Sequence, residues 1–155
     1  MWYRVFGQSD AEIAPAAVLE HLHNGGYEVS GHFRGDVDGW FQLDLVWNEE
    51  TITVHRYRAD EDGIRNELNS WSAWVEVQED LDRPEDIMQQ IIATQQLITM
   101  AIPETDGHSS WGKLCAGLCQ FLVGVTQGLY AIDGVGLFDT EGKLLVADVE
   151  DGFRG

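Results

Sequence analysis

Apolar and polar residues alternate along three neighbouring segments in the first third of the chain. In the middle segment Phe41, Leu43 and Leu45 occupy every second position, with polar residues between them. Alternation with a period of two predicts strands that have one buried and one polar face. Turns rich in Gly, Asp, Asn and Glu separate the segments, which predicts an antiparallel meander. The predicted strands cover residues 27–34, 40–47 and 51–58.

Other segments carry apolar residues at the helical spacing of three to four. The first predicted helix runs from Pro15 to about residue 23, and proline suits the first turn of a helix. The second begins after an acidic segment, 60–63, whose charge favours the positive end of the helix dipole. The third begins at Pro84, keeps its apolar stripe as far as Ile98 and ends before residue 103. The fourth, 111–126, is apolar nearly all round and should be the most buried.

These elements predict an α+β fold with a largely antiparallel sheet. The predicted order is β-α-β-β-β-α-α-α-β-β-β, with the helices packed on one face of the sheet. A single domain, 1–155, is expected because no linker divides the chain. Two segments, 14–58 and 110–149, share a weakly similar pattern of a helix followed by a meander. The remaining predicted strands cover residues 2–7, 129–132, 135–138 and 144–149.

The composition shows that the protein is strongly acidic. The chain of 155 residues has 27 Asp and Glu against 9 Lys and Arg, so its formal net charge is −18 at pH 7. Hydrophobic residues make up 44%, which is normal for a folded domain and excludes a disordered acidic tail. The acidity is consistent with a solubilising surface, with adaptation to salt or with a surface for a basic partner.

The same charge limits the classes of partner. Autonomous binding to nucleic acids or anionic membranes is not expected, because both require a basic surface. No apolar stretch approaches the ~20 residues that span a bilayer. The first residues also lack the pattern of a signal peptide. We therefore expect a soluble cytoplasmic protein.

Motifs of cofactor and metal enzymes are absent. The sequence contains no Gly-rich phosphate loop, no dinucleotide fingerprint and no nucleophile elbow. Cys115 and Cys119 lie four apart on the fourth helix, where apolar neighbours predict buried thiols rather than metal ligands. The sequence thus predicts no cofactor and no structural metal, and it favours a protein without enzymatic activity.

Three of the nine basic residues fall within ten positions of one another. Arg56 and Arg58 end the third meander strand, and Arg65 lies in the first turn of the second helix. Arginines beside a helix N-terminus can hold a phosphate or carboxylate, so these residues are a candidate anion site. Salt bridges to nearby acidic residues are the structural alternative.

A second candidate lies on the polar face of the meander. Alternation places His32, Asp44 and His55 on that face, where they converge if the strand register permits. Such a set could bind a divalent metal or transfer protons. The alternative is a row of solvated polar side chains.

Two functions follow from these patterns. The first is a non-enzymatic acidic module, of an immunity-like or regulatory kind, that binds a basic protein. The second is a small-anion or metal-binding protein, or an enzyme, that uses the polar face of residues 27–58 and the arginine cluster. A homodimer joined through exposed tryptophans or strand edges is a further alternative.

Overall fold

The structure is a computed structural model that describes residues 1–79, 81–103 and 110–148. Four helices and eight strands are defined within these ranges. The helices are α1 (Pro15–Asn24), α2 (Ile64–Glu76), α3 (Pro84–Ile92) and α4 (Ser110–Thr126). The strands are β1 (Trp2–Gly7), β2 (Ser30–Asp36), β3 (Gly39–Trp47), β4 (Glu50–Arg58), β5 (Gln96–Ala101), β6 (Leu129–Ile132), β7 (Gly136–Phe138) and β8 (Leu144–Ala147).

The described strands form one antiparallel sheet in the order β2-β3-β4-β5-β1-β6-β7-β8. At its centre β1 pairs with β5, and Val5 lies opposite Ile98. The first meander continues the sheet on the β5 side, and the last three strands continue it on the β1 side. The predicted α+β class and the antiparallel sheet are confirmed.

The predicted element order is wrong at one strand. The third helix ends at Ile92, and the apolar residues that follow form β5 instead of a further helical turn. Leu97, Ile98 and Met100 are each at most 2% exposed. A central strand is buried on both faces, so its sequence loses the alternation that marks a strand and resembles a buried helix.

Helices cover both faces of the sheet, so the prediction that they pack on one face is wrong. One core cluster joins α1 and α4 to the face that carries Tyr3, Val5 and Ile98. The other joins α2 and α3 to the opposite face, which carries Phe6 and Leu97. Successive residues of a strand point to opposite faces, and β1 and β5 bury apolar residues on both.

A bulge in β3 reverses which of two neighbouring aromatic residues is buried. The register between β2 and β3 shifts beside Gly35, which pairs with Trp40. Trp40 is therefore buried, whereas Phe41, predicted to face the core, is 46% exposed. The extra residue of a bulge reverses the facing of the positions around it. The Trp40 indole N–H donates to the carbonyl oxygen of Ile13 over 2.8 Å, which ties the bulge to the segment before α1.

The two similar segments occupy opposite ends of this sheet. In the first, α1 leads to β2 at the sheet edge; in the second, α4 leads to β6 beside the centre. The two meanders thus enter the sheet in opposite orders, and an internal repeat stays a prediction. No helix in the described ranges is long and apolar enough to cross a membrane.

Candidate functional site

The end of β4 brings Arg56 and Arg58 together. Both follow Val54 at alternate positions, on the face that packs against α1 and α4, and both line the same two clefts. The Arg56 Nε donates to Oε1 of Gln96 over 2.7 Å, and its Nη1 donates to the carbonyl oxygen of Trp40 over 2.9 Å. The guanidinium also lies 5.9 Å from the centre of the Trp40 ring. Arg56 is thereby held in place by the bulge and by β5.

The other two arginines also have acceptors within the protein. Nη2 of Arg58 lies 2.9 Å from Oδ2 of Asp38. Nη1 of Arg65 donates to the carbonyl oxygen of Ile92 over 2.9 Å and so joins α2 to the end of α3. Arg65 lines a third cleft, which adjoins the other two. The predicted cluster is therefore a pair, Arg56 and Arg58, with Arg65 in the neighbouring cleft.

The three clefts adjoin one another at this end of the sheet and have volumes of about 380, 260 and 550 Å³. All three include Asp60 in their lining. We call their combined surface the acidic groove. Its carboxylate side chains are all exposed and belong to Asp10, Asp36, Asp38, Asp60, Glu61 and Asp62.

Carboxylates outnumber arginines in the acidic groove. Burial lowers the pKa of Arg56, and Arg58 acts in the same direction, whereas nearby carboxylates led by Glu12 raise it. Arginine keeps its charge at neutral pH in any protein environment. Asp10, Asp60 and Asp62 form no ion pair within the described residues. With three arginines and six carboxylates, the groove is a surface of net negative charge.

The register places His32, Asp44 and His55 on one face of the meander. His32 lies directly opposite Asp44, while His55 lies opposite Gln42, two residues from Asp44 along β3. This face lies outside the α2 and α3 cluster, and His32 is exposed. The Asp44 Oδ1 accepts hydrogen bonds from Thr53 over 2.9 Å and from Gln42 over 3.3 Å.

This geometry does not support the metal version of that prediction. The two histidines lie on strands two places apart in the sheet, a separation of roughly 10 Å between backbones. Among the described residues, no group of three His, Cys, Asp or Glu side chains is arranged to hold a metal ion. A role of this face in binding another ligand stays a prediction.

Arg4, in the middle of β1, was not among the predicted site residues. It is 9% exposed and pairs with Oδ1 of Asp133 over 2.8 Å. Its guanidinium also lies 3.8 Å from Glu67 and between the rings of Trp2 and Trp71. These groups come from β1, α2 and the turn after β6, so no local sequence pattern indicates their meeting.

The two cysteines are buried in α4 as predicted. Burial raises the pKa of the Cys119 thiol well above its ordinary range, and the neighbouring Cys115 acts in the same direction. The thiolate is the reactive form of cysteine. Cys119 is therefore a buried core residue whose thiol stays protonated at neutral pH.

This pKa shift predicts a loss of stability at alkaline pH. Above about pH 8.5 the thiol ionises in the unfolded chain but stays protonated in the folded one. The free energy of unfolding should then fall with rising pH, by up to about 1.4 kcal/mol per pH unit from this residue. Urea denaturation under reducing conditions from pH 7 to pH 10 measures the slope. Cys119→Ala should show a smaller slope above pH 8.5, and parallel curves for the two proteins would contradict the prediction.

Comparisons with protein-family models, with curated proteins and with solved structures found no match for this chain. The geometry and electrostatics of its surfaces are therefore the basis for a functional proposal.

Proposed function

We propose that this protein is a non-enzymatic binding module, of an immunity-like or regulatory kind, that binds a basic segment of another protein in the acidic groove. One observation carries the proposal. The arginines of the groove donate to acceptors within the protein, whereas Asp10, Asp60 and Asp62 form no ion pair among the described residues. Lysine or arginine side chains of a partner would supply the missing cations.

The charge of the whole molecule supports the same partner. At −18, it attracts basic proteins over distances longer than a contact and raises their association rate at low salt. The acidic groove would fix where the basic segment binds, because its carboxylates surround clefts that admit side chains. Part of the energy would come from stem packing, since lysine and arginine carry long apolar stems.

Titration calorimetry with a lysine-rich peptide at about 0.1 M salt tests the proposal, because distant surface charges are then largely screened. The triple variant Asp10→Asn, Asp60→Asn, Asp62→Asn should weaken binding about tenfold. A control variant with the same change in net charge is Glu20→Gln, Glu85→Gln, Glu141→Gln, at exposed positions outside the groove. Its affinity should stay within about twofold of the parent protein.

Equal weakening by the two triple variants would show that the affinity for the peptide depends only on the net charge of the protein. That result would remove the groove from the proposal. A pull-down of basic proteins from native lysate, repeated at high salt, then identifies the physiological partner.

A second candidate function is favoured by the position of Arg56. It is half-buried and lines two adjoining clefts together with Arg58, where a small anion could bridge the two guanidinium groups. Phosphate at constant ionic strength would then raise the melting temperature, and Arg58→Gln would abolish the increase. No change with phosphate, together with peptide binding, favours the protein-binding function.

A further inference from the structure

The outer edge of β2 is one end of the sheet, and no described strand covers it. The direction of its backbone groups follows from the turn between β3 and β4, whose two residues have φ values of 51° and 67°. Such a turn is of type I′, and the pair that flanks it, Trp47 and Glu50, exchanges both backbone hydrogen bonds. Alternation from this pair directs the N–H and C=O groups of Gly31 and Phe33 away from β3, towards the free edge.

This edge has little of the protection that sheet edges usually carry. Natural edges are guarded by lysine, proline, short strands or bulges. β2 has seven residues, without lysine or proline, and its bulge lies near its end, beside Gly35. Just before the strand, Nε2 of His23 lies 2.8 Å from the carbonyl oxygen of Val29 and occupies it. The available backbone groups are therefore those of Gly31 and Phe33.

An apolar surface borders the edge on the side of α1. Leu19 lies over Gly31, where a Cβ atom would be 2.7 Å from Cδ2 of the leucine. Phe33 packs edge to face on Trp40, with ring centres 5.4 Å apart. Leu19 and Phe33 are only partly buried. An apolar side chain beside them would remove further apolar surface from water.

The opposite side of the edge has a different character. His32 and Arg34 lie there with exposed side chains. Asp44 lies opposite His32 on β3, and Arg34 lies opposite the uncharged Gln42. A carboxylate on a neighbouring strand would form a favourable cross-strand pair with Arg34. The side towards α1 thus favours apolar side chains of a bound strand, and the side of Arg34 favours carboxylates.

We propose that the edge of β2 binds an extended segment of another protein as an added antiparallel strand. The segment exchanges backbone hydrogen bonds with Gly31 and Phe33. Its side chains alternate, with apolar residues towards Leu19 and carboxylates towards Arg34. The residues used here, Gly31 to Arg34, line none of the three clefts of the acidic groove, and the proposal does not depend on the function proposed for the groove.

A second copy of this chain fits the edge less well. Antiparallel pairing of β2 with itself about Phe33 places Arg34 of one copy opposite His32 of the other, without a carboxylate between them. It also brings together two molecules of net charge −18. A heterologous strand with carboxylates avoids the first conflict.

Amide exchange measured by NMR on the full chain tests the proposal. The probe is a short acetylated peptide of alternating valine and glutamate. The peptide should slow exchange at the amides of Gly31 and Phe33. N-methylation of the peptide amides that face β2 should weaken binding about tenfold, since two hydrogen bonds are lost. N-methylation of the alternate amides should leave the affinity within about twofold, which separates strand pairing from attraction between charges.

Matched arginine variants test the contribution of the side chains. Arg34→Gln should weaken peptide binding about threefold, whereas Arg83→Gln, at an exposed arginine before α3, should leave it unchanged.

Two results of these experiments would overturn the proposal. One is equal binding of the two N-methylated peptides. The other is an amide exchange rate at Gly31 and Phe33 that is the same with and without peptide. Dimerisation by light scattering, with Gly31 protected in the absence of peptide, would also overturn it in favour of a second copy. The triple variant of the acidic groove should bind this peptide at least as well as the parent, so failure of one proposal is distinguishable from failure of the other.

Discussion

Replacing Trp111 by alanine is expected to lower the free energy of unfolding by about 4 kcal/mol. The side chain is 2% exposed and lies in the first turn of α4, between the helix and the β3–β4 hairpin. Its ring packs edge to face on Trp47, with ring centres 5.3 Å apart, and its indole N–H donates to Oε1 of Glu50. Alanine leaves a cavity that the surrounding strands cannot fill, and it leaves Trp47 without this aromatic contact.

Chemical denaturation monitored by circular dichroism measures the loss, which is a large part of the ~5 to 15 kcal/mol that stabilises a typical domain. The control is Trp2→Ala, because Trp2 is 43% exposed. The control should cost about 1 kcal/mol, mainly through its contact with Arg4. Similar losses in the two variants would show that packing of Trp111 does not contribute more to stability than the exposed Trp2 does.

Replacing Arg4 by methionine is expected to cost about 3 kcal/mol, at the low end for a broken buried ion pair. The change leaves Asp133 and Glu67 without their common cation and removes the charge between Trp2 and Trp71. Both carboxylates are partly exposed and regain some hydration, which limits the loss. Methionine keeps much of the side-chain volume, so the electrostatic contribution dominates the result.

Urea denaturation of three variants and the parent protein tests this prediction. Arg83→Met, at an exposed arginine just before α3 whose one ion pair among the described residues is with Asp86, should cost less than about 0.5 kcal/mol. Adding Asp133→Asn to Arg4→Met should recover part of the loss, because one unpaired carboxylate is removed. If Arg4→Met and Arg83→Met behave alike, Arg4 does not hold β1, α2 and the turn after β6 together.

Much of the fold could be predicted because its local patterns were unambiguous. The α4 helix is apolar on nearly every side, and a segment of that length and character has few alternatives to a buried helix. The first meander shows a period of two from Gln42 onwards because one face of β3 packs on the cluster of α1 and α4. The bulge reverses Trp40 and Phe41, which the period alone could not indicate. β5 was predicted as part of a helix, because burial on both faces removes the period of two that distinguishes a strand from a helix.

The candidate sites were predicted less completely for a related reason. Spacing along β4 placed Arg56 and Arg58 on one face, and the structure keeps them together in two clefts. The partners of Arg56, however, come from β3 and β5, and no spacing in the sequence indicates Trp40 or Gln96. The pairing of His32 with Asp44 depends on a register that one extra residue would change.

By itself the sequence determined the acidity of this protein, its α+β class, the buried α4 helix and the faces of the first meander apart from Trp40 and Phe41. These properties depend on composition and on periods of two or about four residues, which are local. Only the tertiary structure decided that β5 and β1 lie at the centre of the sheet, that helices cover both faces, that Arg4 meets Glu67 and Asp133, and that β2 is a free edge. These are contacts between residues far apart in the chain, and they are set by which packing buries the most apolar surface while pairing the buried charges.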